Sequence, residues 1–325
     1  MAFPKVTVLM SVYNATEYLP EALESILAQS FTDFEFLIID DGSKEPLDQV
    51  MGEYKDERIK IVRQDNRGLT RSLNRGLSMA RGEYIARMDA DDVSVPERLG
   101  LQTVEMEADR GLDLVGSYFD MIDGKGNLLE RNEPLIDPTY RLWRLQFHNT
   151  YGHGSVMLRK AAVIAAGAYD EDLRYAQDYD LWSRLSAKNN TKIIPTVLYR
   201  YRMIAASGQA SVRNYDSQLS NAIKISNRNL IACNPRLTDE DCKDIRSLYW
   251  RFQLEHLSVR GLSLVPETLG GFCRRYAIEG EQKKLLVNKV ARDTIEEIES
   301  SQYLSGREED PAVAKILTWC YTYTS

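Results

Sequence analysis

Apolar residues recur with two different periods over the first two thirds of the chain and with only one thereafter. The run KVTVLMSVY (Lys5 to Tyr13) is apolar on both faces apart from small hydroxyls, which is how a strand covered on both sides of a parallel sheet reads. After it, Leu19, Ala22, Leu23, Ile26 and Leu27 fall at helical spacing, and Gln29 to Asp33 make a short turn. A second apolar strand follows, FEFLIID (Phe34 to Asp40), then RIKIVRQ (Arg58 to Gln64). A helix with Leu69, Leu73, Leu77 and Ala80 on one face leads into strand EYIARM. Such alternation predicts right-handed βαβ units and a doubly wound, mostly parallel α/β sheet, whose ligands collect at the carboxyl ends of its strands.

Further along, Ser94 with Glu97 reads as a capping box, and Pro96 suits a first helical turn. Strand LDLVGSYFDMI, turn DGKGN and the segment YGHGSVMLRK come next, and Gly167 is placed to stop a helix beginning near Lys160. The strand-like IIPTVLYRYR precedes AASGQAS (205–211), a small-residue loop with the composition of either a lid or a plain surface loop. From about Tyr215 the pattern is helical only. Thr238 with Asp241 caps a helix carrying Ile245, Leu248, Tyr249 and Phe252, and the last helix shows a stripe of Val313, Ile316, Leu317 and Cys320. The expected division is a domain over 1–214 and a helical C-terminal extension over 215–325.

Composition narrows the function classes. A chain of 325 residues with 43% hydrophobic content buries a substantial core. Its 41 basic and 48 acidic side chains leave a formal charge of -7, which argues against nucleic acid as a partner. The four cysteines (Cys233, Cys242, Cys273, Cys320) are too scattered for zinc or a disulfide framework, and fit a reducing cytoplasm. Neither a leader nor an apolar run of about 18 residues is visible.

Two acidic clusters sit at strand carboxyl ends, Asp40-Asp41-Gly42-Ser43 and Asp89-Ala90-Asp91-Asp92, and a doubly wound sheet places them on one edge. An isolated Asp-x-Asp is usually a solvated turn. Several carboxylates meeting at one edge repel unless protonated or neutralised, and a hard divalent cation accepts such oxygens. In QDYDLWSRL, a helix starting near Asp178 puts Leu181, Trp182 and Leu185 on that residue's face, while Asp180 aligns with Ser183 and Arg184. Asp178 is therefore expected to face inward, with a pKa raised by burial, and Asp180 outward. The plainer alternative is that Asp178 only caps the helix.

The segments VTVLMSVYN, FEFLIIDDGS, NRGLTRSLNRGLSMARGEYIARMDADD, HGSVMLRK and QDYDLWSRL, in this order over roughly 205 residues, resemble the family 2 glycosyltransferases of GT-A fold. The resemblance implies a GT-A Rossmann-like sheet and an inverting transfer of sugar from a nucleotide-diphosphate donor, a UDP-sugar first, to a hydroxyl of a glycan or lipid-linked acceptor. It further implies that Asp41 contacts the base, with Ser11 and Tyr13 bordering that pocket and Arg71 near the donor. Asp89, Asp91 and Asp92 are implied to bind ribose and Mg²⁺ or Mn²⁺, with Asp91 and Asp92 at the metal, and Asp178 to be the catalytic base. His153 is implied to border acceptor and sugar, although a loop histidine satisfied by a backbone carbonyl is an equal alternative.

Asn74 resembles a position near the donor or belongs to a polar helix face, and Arg200 and Arg202 meet phosphate or are simple strand-edge cations. Two positions depart from the family pattern: Gln177 stands where Glu often precedes the base, and Ile204 where a metal-ligating His often stands. Metal binding then rests on carboxylate, diphosphate and water. The implied setting is polysaccharide or glycolipid assembly in the cytoplasm, at the inner face of the membrane. The helical end is expected to pack as a cap, dimerise, or touch a membrane surface peripherally. The rival function is a noncatalytic nucleotide-sugar-binding or scaffolding protein.

Overall fold

The computed structural model describes residues 3–14, 17–45, 47, 51, 52, 54–204, 214–249, 259–301, 307 and 309–324; the loop 205–211 singled out above lies outside them. Its contacts divide the chain into two compact units. The first comprises Met1–Ile136, Tyr151–Ser186 and Asn190–Gln218, and the second Asp137–Thr150, Ala187–Asn189 and Leu219–Ser325.

The first unit is a mixed α/β structure around one nine-stranded sheet of order β3-β2-β1-β4-β8-β6-β9-β5, with β7 on β6. Strands β1 (Val6–Val12), β2 (Phe34–Asp40), β3 (Ile59–Arg63) and β4 (Tyr84–Met88) pair in parallel, as the alternating pattern predicts. Beyond β4 the sheet becomes mixed. Strand β8 (Met157–Arg159) runs antiparallel between β4 and β6 (Leu114–Ile122), and β9 (Thr191–Arg202) lies parallel to β6. The strands β5 (Val93–Ser94) and β7 (Leu128–Asn132) are too short or too exposed to show in the hydrophobic pattern.

Every residue of β2 is buried, as is every residue of β1 except Ser11, because both faces of this half-sheet are covered. One face receives α1 (Leu19–Leu27), whose Leu19, Ala22, Leu23 and Ile26 join Val8, Met10, Phe36 and Ile38 in the core. On strands β1 and β2 also packs α2 (Leu69–Met79), burying Leu73 and Leu77. Its approach depends on Gly76, where a Cβ would come within 2.2 Å of Leu9 Cδ1. Truncating Leu73 to Ala would cost roughly 2–5 kcal/mol.

The expected Ser94–Glu97 capping box does not form. Helix α3 (Arg98–Ala108) has Glu97 as its cap position without a side-chain bond, and Ser94 belongs to β5, opposite Tyr199 of β9. The orphan N–H of Leu99 instead donates to Gln29 Oε1 at 3.0 Å, while Gln29 Nε2 donates to the Val95 carbonyl at 2.7 Å. A long-range amide thus does what the local motif promised, while Ser94 itself is engaged by α1 and the turn after it, its N–H donating to Ser25 Oγ at 3.1 Å and its hydroxyl accepting from Gln29 Nε2 at 3.3 Å.

Helix α5 (Lys160–Ala165) ends at Gly167, φ +89°, as expected, and α6 spans Gln177–Leu185. The second unit contains α4 (Pro138–Arg144), most of α7 (Tyr215–Cys233), α8 (Asp239–Ser247), α9 (Val265–Arg275), α10 (Gly280–Ser300) and α11 (Pro311–Thr324). The Thr238–Asp241 capping box is present at α8, and Val313, Ile316, Leu317 and Cys320 are buried as one stripe of α11. Trp143, Phe147, Tyr249 and Phe272 form an aromatic cluster. All four cysteines are free and buried. Among the described residues no helix is long and apolar enough to cross a membrane.

Candidate active site

Parallel register fixes where the functional side chains emerge. Val12 of β1 lies opposite Asp40 of β2, and Met10 opposite Met88 of β4. Both acidic clusters therefore leave the sheet at one edge, with Ser11 half-buried between them and Tyr13 beyond it, 52% exposed.

At the β2 end, Asp41 is 2% exposed and its carboxylate accepts from the backbone N–H of Arg67 and of Gly68, each at 2.8 Å, and from Gln64 Nε2 at 2.7 Å. Asp41 thereby anchors the loop that starts α2. Gly42 has φ +78°, and a Cβ there would lie 2.7 Å from Asn66 N, so the third letter of DDGS is set by close backbone approach. Asp40 accepts from Ser43 N at 2.9 Å and closes the turn. Beside it lies a cavity of about 360 Å³ lined by Gln64, Arg67, Arg71, Asn74, Arg75 and Glu171. Arg71 pairs with Glu171 at 3.2 Å, and the cavity keeps an excess of positive charge.

The β4 end is built differently. Asp92, expected beside Asp91 at the metal, is fully buried: one oxygen accepts from Tyr199 OH at 2.7 Å, the other from Arg202 N at 2.7 Å. Burial, then the charge of Asp91, pushes its pKa up to about 7. Its surroundings give it a bracing role, and the carboxylates left half-buried at the edge are Asp89 and Asp91.

Two arginines support the turn from below. Arg87, 3% exposed, pairs with Asp89, and its Nε is buried without a hydrogen-bond partner. Arg202, 1% exposed, is no strand-edge cation: Nε donates to the Asp91 carbonyl at 2.8 Å, Nη2 to Glu21 at 2.5 Å, and the guanidinium stacks on Tyr18. Arg200 is exposed but is not at an edge either, since β9 pairs there with Asp120 of β6 and Val93 of β5. Arg87 carries a sequence signal, as a lone cation in an apolar strand two positions before Asp89. Tyr199 and Glu21 carry none.

Helix α6 presents Asp178 one residue after its start, following Ala176 at φ +58°. Asp178 is half-buried, and Tyr179, Leu181, Trp182 and Leu185 are buried. Asp180, expected outward, is instead 1% exposed. The burial order is the reverse of the expected one, with Asp180 inside and Asp178 at the half-buried margin. Arg184 folds back one turn to pair with Asp180 at 2.7 Å and donates to the carbonyls of Ala166 and Ala168, tying the preceding loop to α6.

His153 satisfies its ring with a hydroxyl rather than a backbone carbonyl: Nε2 lies 3.0 Å from Tyr169 OH, with Trp182 edge-on at 5.9 Å. Burial and the charge of Arg87 hold its pKa well below the ordinary value, so the ring is neutral near pH 7. The next residue, Gly154, permits Tyr199 to pass, since a Cβ there would meet its hydroxyl at 2.2 Å. Tyr199 OH also accepts from Asp89 N at 3.2 Å. The α6 neighbourhood and the acidic turn are thus packed through His153, Gly154 and Tyr199.

Two half-exposed carboxylates, Asp89 and Asp91, with no third acidic, His or Cys ligand grouped with them among the described residues, suit a hard cation that keeps open positions for diphosphate oxygens and water. Ile204 is half-buried and supplies no ligand.

Residues 7–164 match the family described as Glycosyl transferase family 2. An uncharacterized glycosyltransferase of Methanocaldococcus jannaschii is 36% identical over 209 residues, 62% of this chain and 71% of that protein. Chondroitin synthase of Escherichia coli is 28% identical over 229 residues, 70% of this chain and 33% of the synthase. Among solved structures, S. aureus TarS 1-349 in complex with UDP-GlcNAc aligns with a TM-score of 0.59 over 90% of this chain and 89% of that one, at 17% identity. That likeness is one of fold, the GT-A arrangement.

Proposed function

The chain belongs to glycosyl transferase family 2, and from that premise we propose that it is an inverting transferase moving a sugar from a nucleotide-diphosphate donor to a hydroxyl of a glycan or lipid-linked acceptor. The observation carrying this reading is the arrangement at the sheet edge. Half-exposed Asp89 and Asp91 stand on one side of the Tyr199–His153 packing and half-buried Asp178 belongs to the other, so leaving group and base have separate carboxylates.

Asp178 takes the proton of the acceptor hydroxyl. The freed oxygen forms its bond to the anomeric carbon as the bond from that carbon to the diphosphate oxygen breaks, and the electron pair departs with the nucleoside diphosphate. The sugar inverts in one displacement. Asp41 holds the base, with Ser11 and Tyr13 at its border and Arg71 toward the donor. Asp89 is kept oriented by Arg87 and contacts the ribose. Asp91, with Asp89, would hold Mg²⁺ or Mn²⁺, which supplies positive charge for the departing diphosphate. Neutral His153 and Tyr169 line the acceptor side.

A UDP-sugar is the first donor class to test, supported by the UDP-GlcNAc of the S. aureus fold neighbour. The setting we propose is surface polysaccharide or glycolipid assembly in the cytoplasm, at the inner membrane face, with homodimerisation or peripheral membrane contact as tasks of the helical unit. The test is nucleotide-sugar binding and turnover with Mn²⁺, Mg²⁺ or chelator. Asp178→Asn should abolish transfer while UDP binding persists, and Asp91→Ala should remove the metal dependence of binding. UDP binding with no turnover by any form would instead support a noncatalytic binder. If no nucleotide bound, the whole reading would fall.

A further inference from the structure

We infer that Asn74 and Thr70 are positioning residues for Asp178, so that α2 acts as a rigid spacer between the nucleotide end of the site and the base. The inference rests on the role proposed for Asp178.

The loop 166–176 that delivers α6 is tied at three places. Arg184 grips the carbonyls of Ala166 and Ala168. Asn74 spans both backbone groups of Tyr169, its Nδ2 donating to the carbonyl at 2.8 Å and its Oδ1 accepting from the N–H at 3.0 Å. Thr70 Oγ1 donates to the Leu173 carbonyl at 2.9 Å. The Arg184 tie originates on α6 itself, so it moves with the helix and cannot fix its place. The other two originate on α2, whose amino end is held by Asp41 through Arg67 N and Gly68 N and whose buried face is seated on β1 and β2.

An α-helix transmits position because successive residues rise a fixed ~1.5 Å each and hydrogen-bond to one another. Thr70 and Asn74, one helical turn apart on a helix anchored at Asp41, therefore hold the loop at two points of fixed spacing, and Asp178 lies just beyond the loop's last residue, Ala176. Tyr169 passes the constraint on: its hydroxyl meets His153, which packs on Trp182 of α6. A base displaced by about 1 Å loses roughly 100-fold in rate, so these two neutral hydrogen-bonding side chains bear on turnover without touching a reacting atom.

The experiment uses the full chain. UDP-glucose, UDP-galactose, UDP-GlcNAc and UDP-glucuronate with Mn²⁺ are screened for UDP release by wild type, and kcat and KM are measured on the sugar it hydrolyses for Asn74→Ala, Thr70→Val and Thr70→Ser. UDP affinity and amide exchange are measured alongside. Asn74→Ala should lower kcat at least tenfold, with KM and UDP affinity within about threefold of wild type, and should speed exchange of the Tyr169 amide at least tenfold. Thr70→Val should show a smaller loss in kcat, and Thr70→Ser should restore it. An unchanged kcat, or kcat and UDP affinity falling together, overturns the inference. Should wild type bind no nucleotide, it is the functional reading that fails, and amide exchange over 169–178 decides the positioning alone: equal rates in Asn74→Ala end it.

Discussion

The two aspartate clusters at the edge of the sheet use the same letters and opposite physics. Asp41 is held by backbone and side-chain amides, the N–H groups of Arg67 and Gly68 and the amide of Gln64. The turn at Asp89–Asp92 is held by cations and a phenol: Arg87 under Asp89, Arg202 behind Asp91 and Asp92, and Tyr199 between. Three amide donors fix the nearly buried Asp41 carboxylate and tie it to the loop that starts α2. At the other end Arg87 pairs with Asp89, and burial beside the charge of Asp91 raises the pKa of Asp92, so the crowding is met by one guanidinium and one carboxyl pushed toward its neutral form. The crowding that looks like an electrostatic fault in the sequence is thus partly resolved by the protein itself.

The strongest challenge to this contrast is Arg202→Met. It strips the guanidinium from the carbonyls of Asp91, Asp123 and Gly124 and from Glu21, while the backbone N–H at 202 keeps its bond to Asp92. Leaving these three carbonyls without their donor costs roughly 3–5 kcal/mol in all, at about 1–3 kcal/mol for each that stays buried, so urea denaturation should show a large loss. A change under about 1 kcal/mol would mean that the turn is not cation-held.

A second test uses a carboxylate outside the site. Glu35, 3% exposed, accepts from Lys60 and Arg81 at 2.9 and 2.7 Å and from Thr7 at 2.7 Å. Burial opposes its ionisation, but the hydrogen bonds of Lys60, Arg81 and Thr7 prevail and lower its pKa from 4.5 to about 2. Because the folded value lies below the unfolded one, its stabilisation is present above about pH 4.5 and is lost as pH falls toward 2. Glu35→Gln should therefore cost about 3 kcal/mol at pH 7 and converge with wild type near pH 2, followed by calorimetry across pH. A pH-independent difference would show that packing, not charge, is what Glu35 supplies.

Asp41→Ala comes next, at about 2 kcal/mol, the worth of charge-assisted bonds lost less the solvent access gained by Arg67 and Gly68. Its loss should be less sensitive to added salt than that of Glu35→Gln, because amides rather than half-exposed cations are its partners. The smallest pair concerns helix α3. Gln29→Ala should cost about 1 kcal/mol, as loss of a helix cap does, whereas Glu97→Ala should stay within about 0.5 kcal/mol because no capping box exists there. The reverse order in thermal melts would restore the local motif.

These cases also show how far the site was legible in the amino-acid order. The strand ends carrying Asp41 and Asp89, the helix carrying Asp178 and the stop at Gly167 follow from periodicity and turn chemistry, which act within a few residues. The replacement of the Ser94–Glu97 cap by Gln29 does not, because it depends on a group brought up from elsewhere in the fold; the burial of Asp180 reverses the expected face even though its partner Arg184 is only four residues on. Helix α4 had no signal assigning it to the helical unit, since its buried aromatics Tyr140 and Trp143 are equally at home in either core.

What the sequence by itself determined is the alternation of elements and, through the parallel register it implies, the gathering of two acidic clusters at one edge. What only the tertiary structure decided is the state of each carboxylate: Asp92 buried and bracing, Asp89 and Asp91 half-open, Asp180 paired inside, Asp178 delivered by a loop that Asn74 and Thr70 hold. The physical reason is range. Hydrophobic periodicity is a property of neighbours, whereas the solvation and charge balance of a carboxylate depend on partners such as Arg202, more than a hundred positions away along the chain.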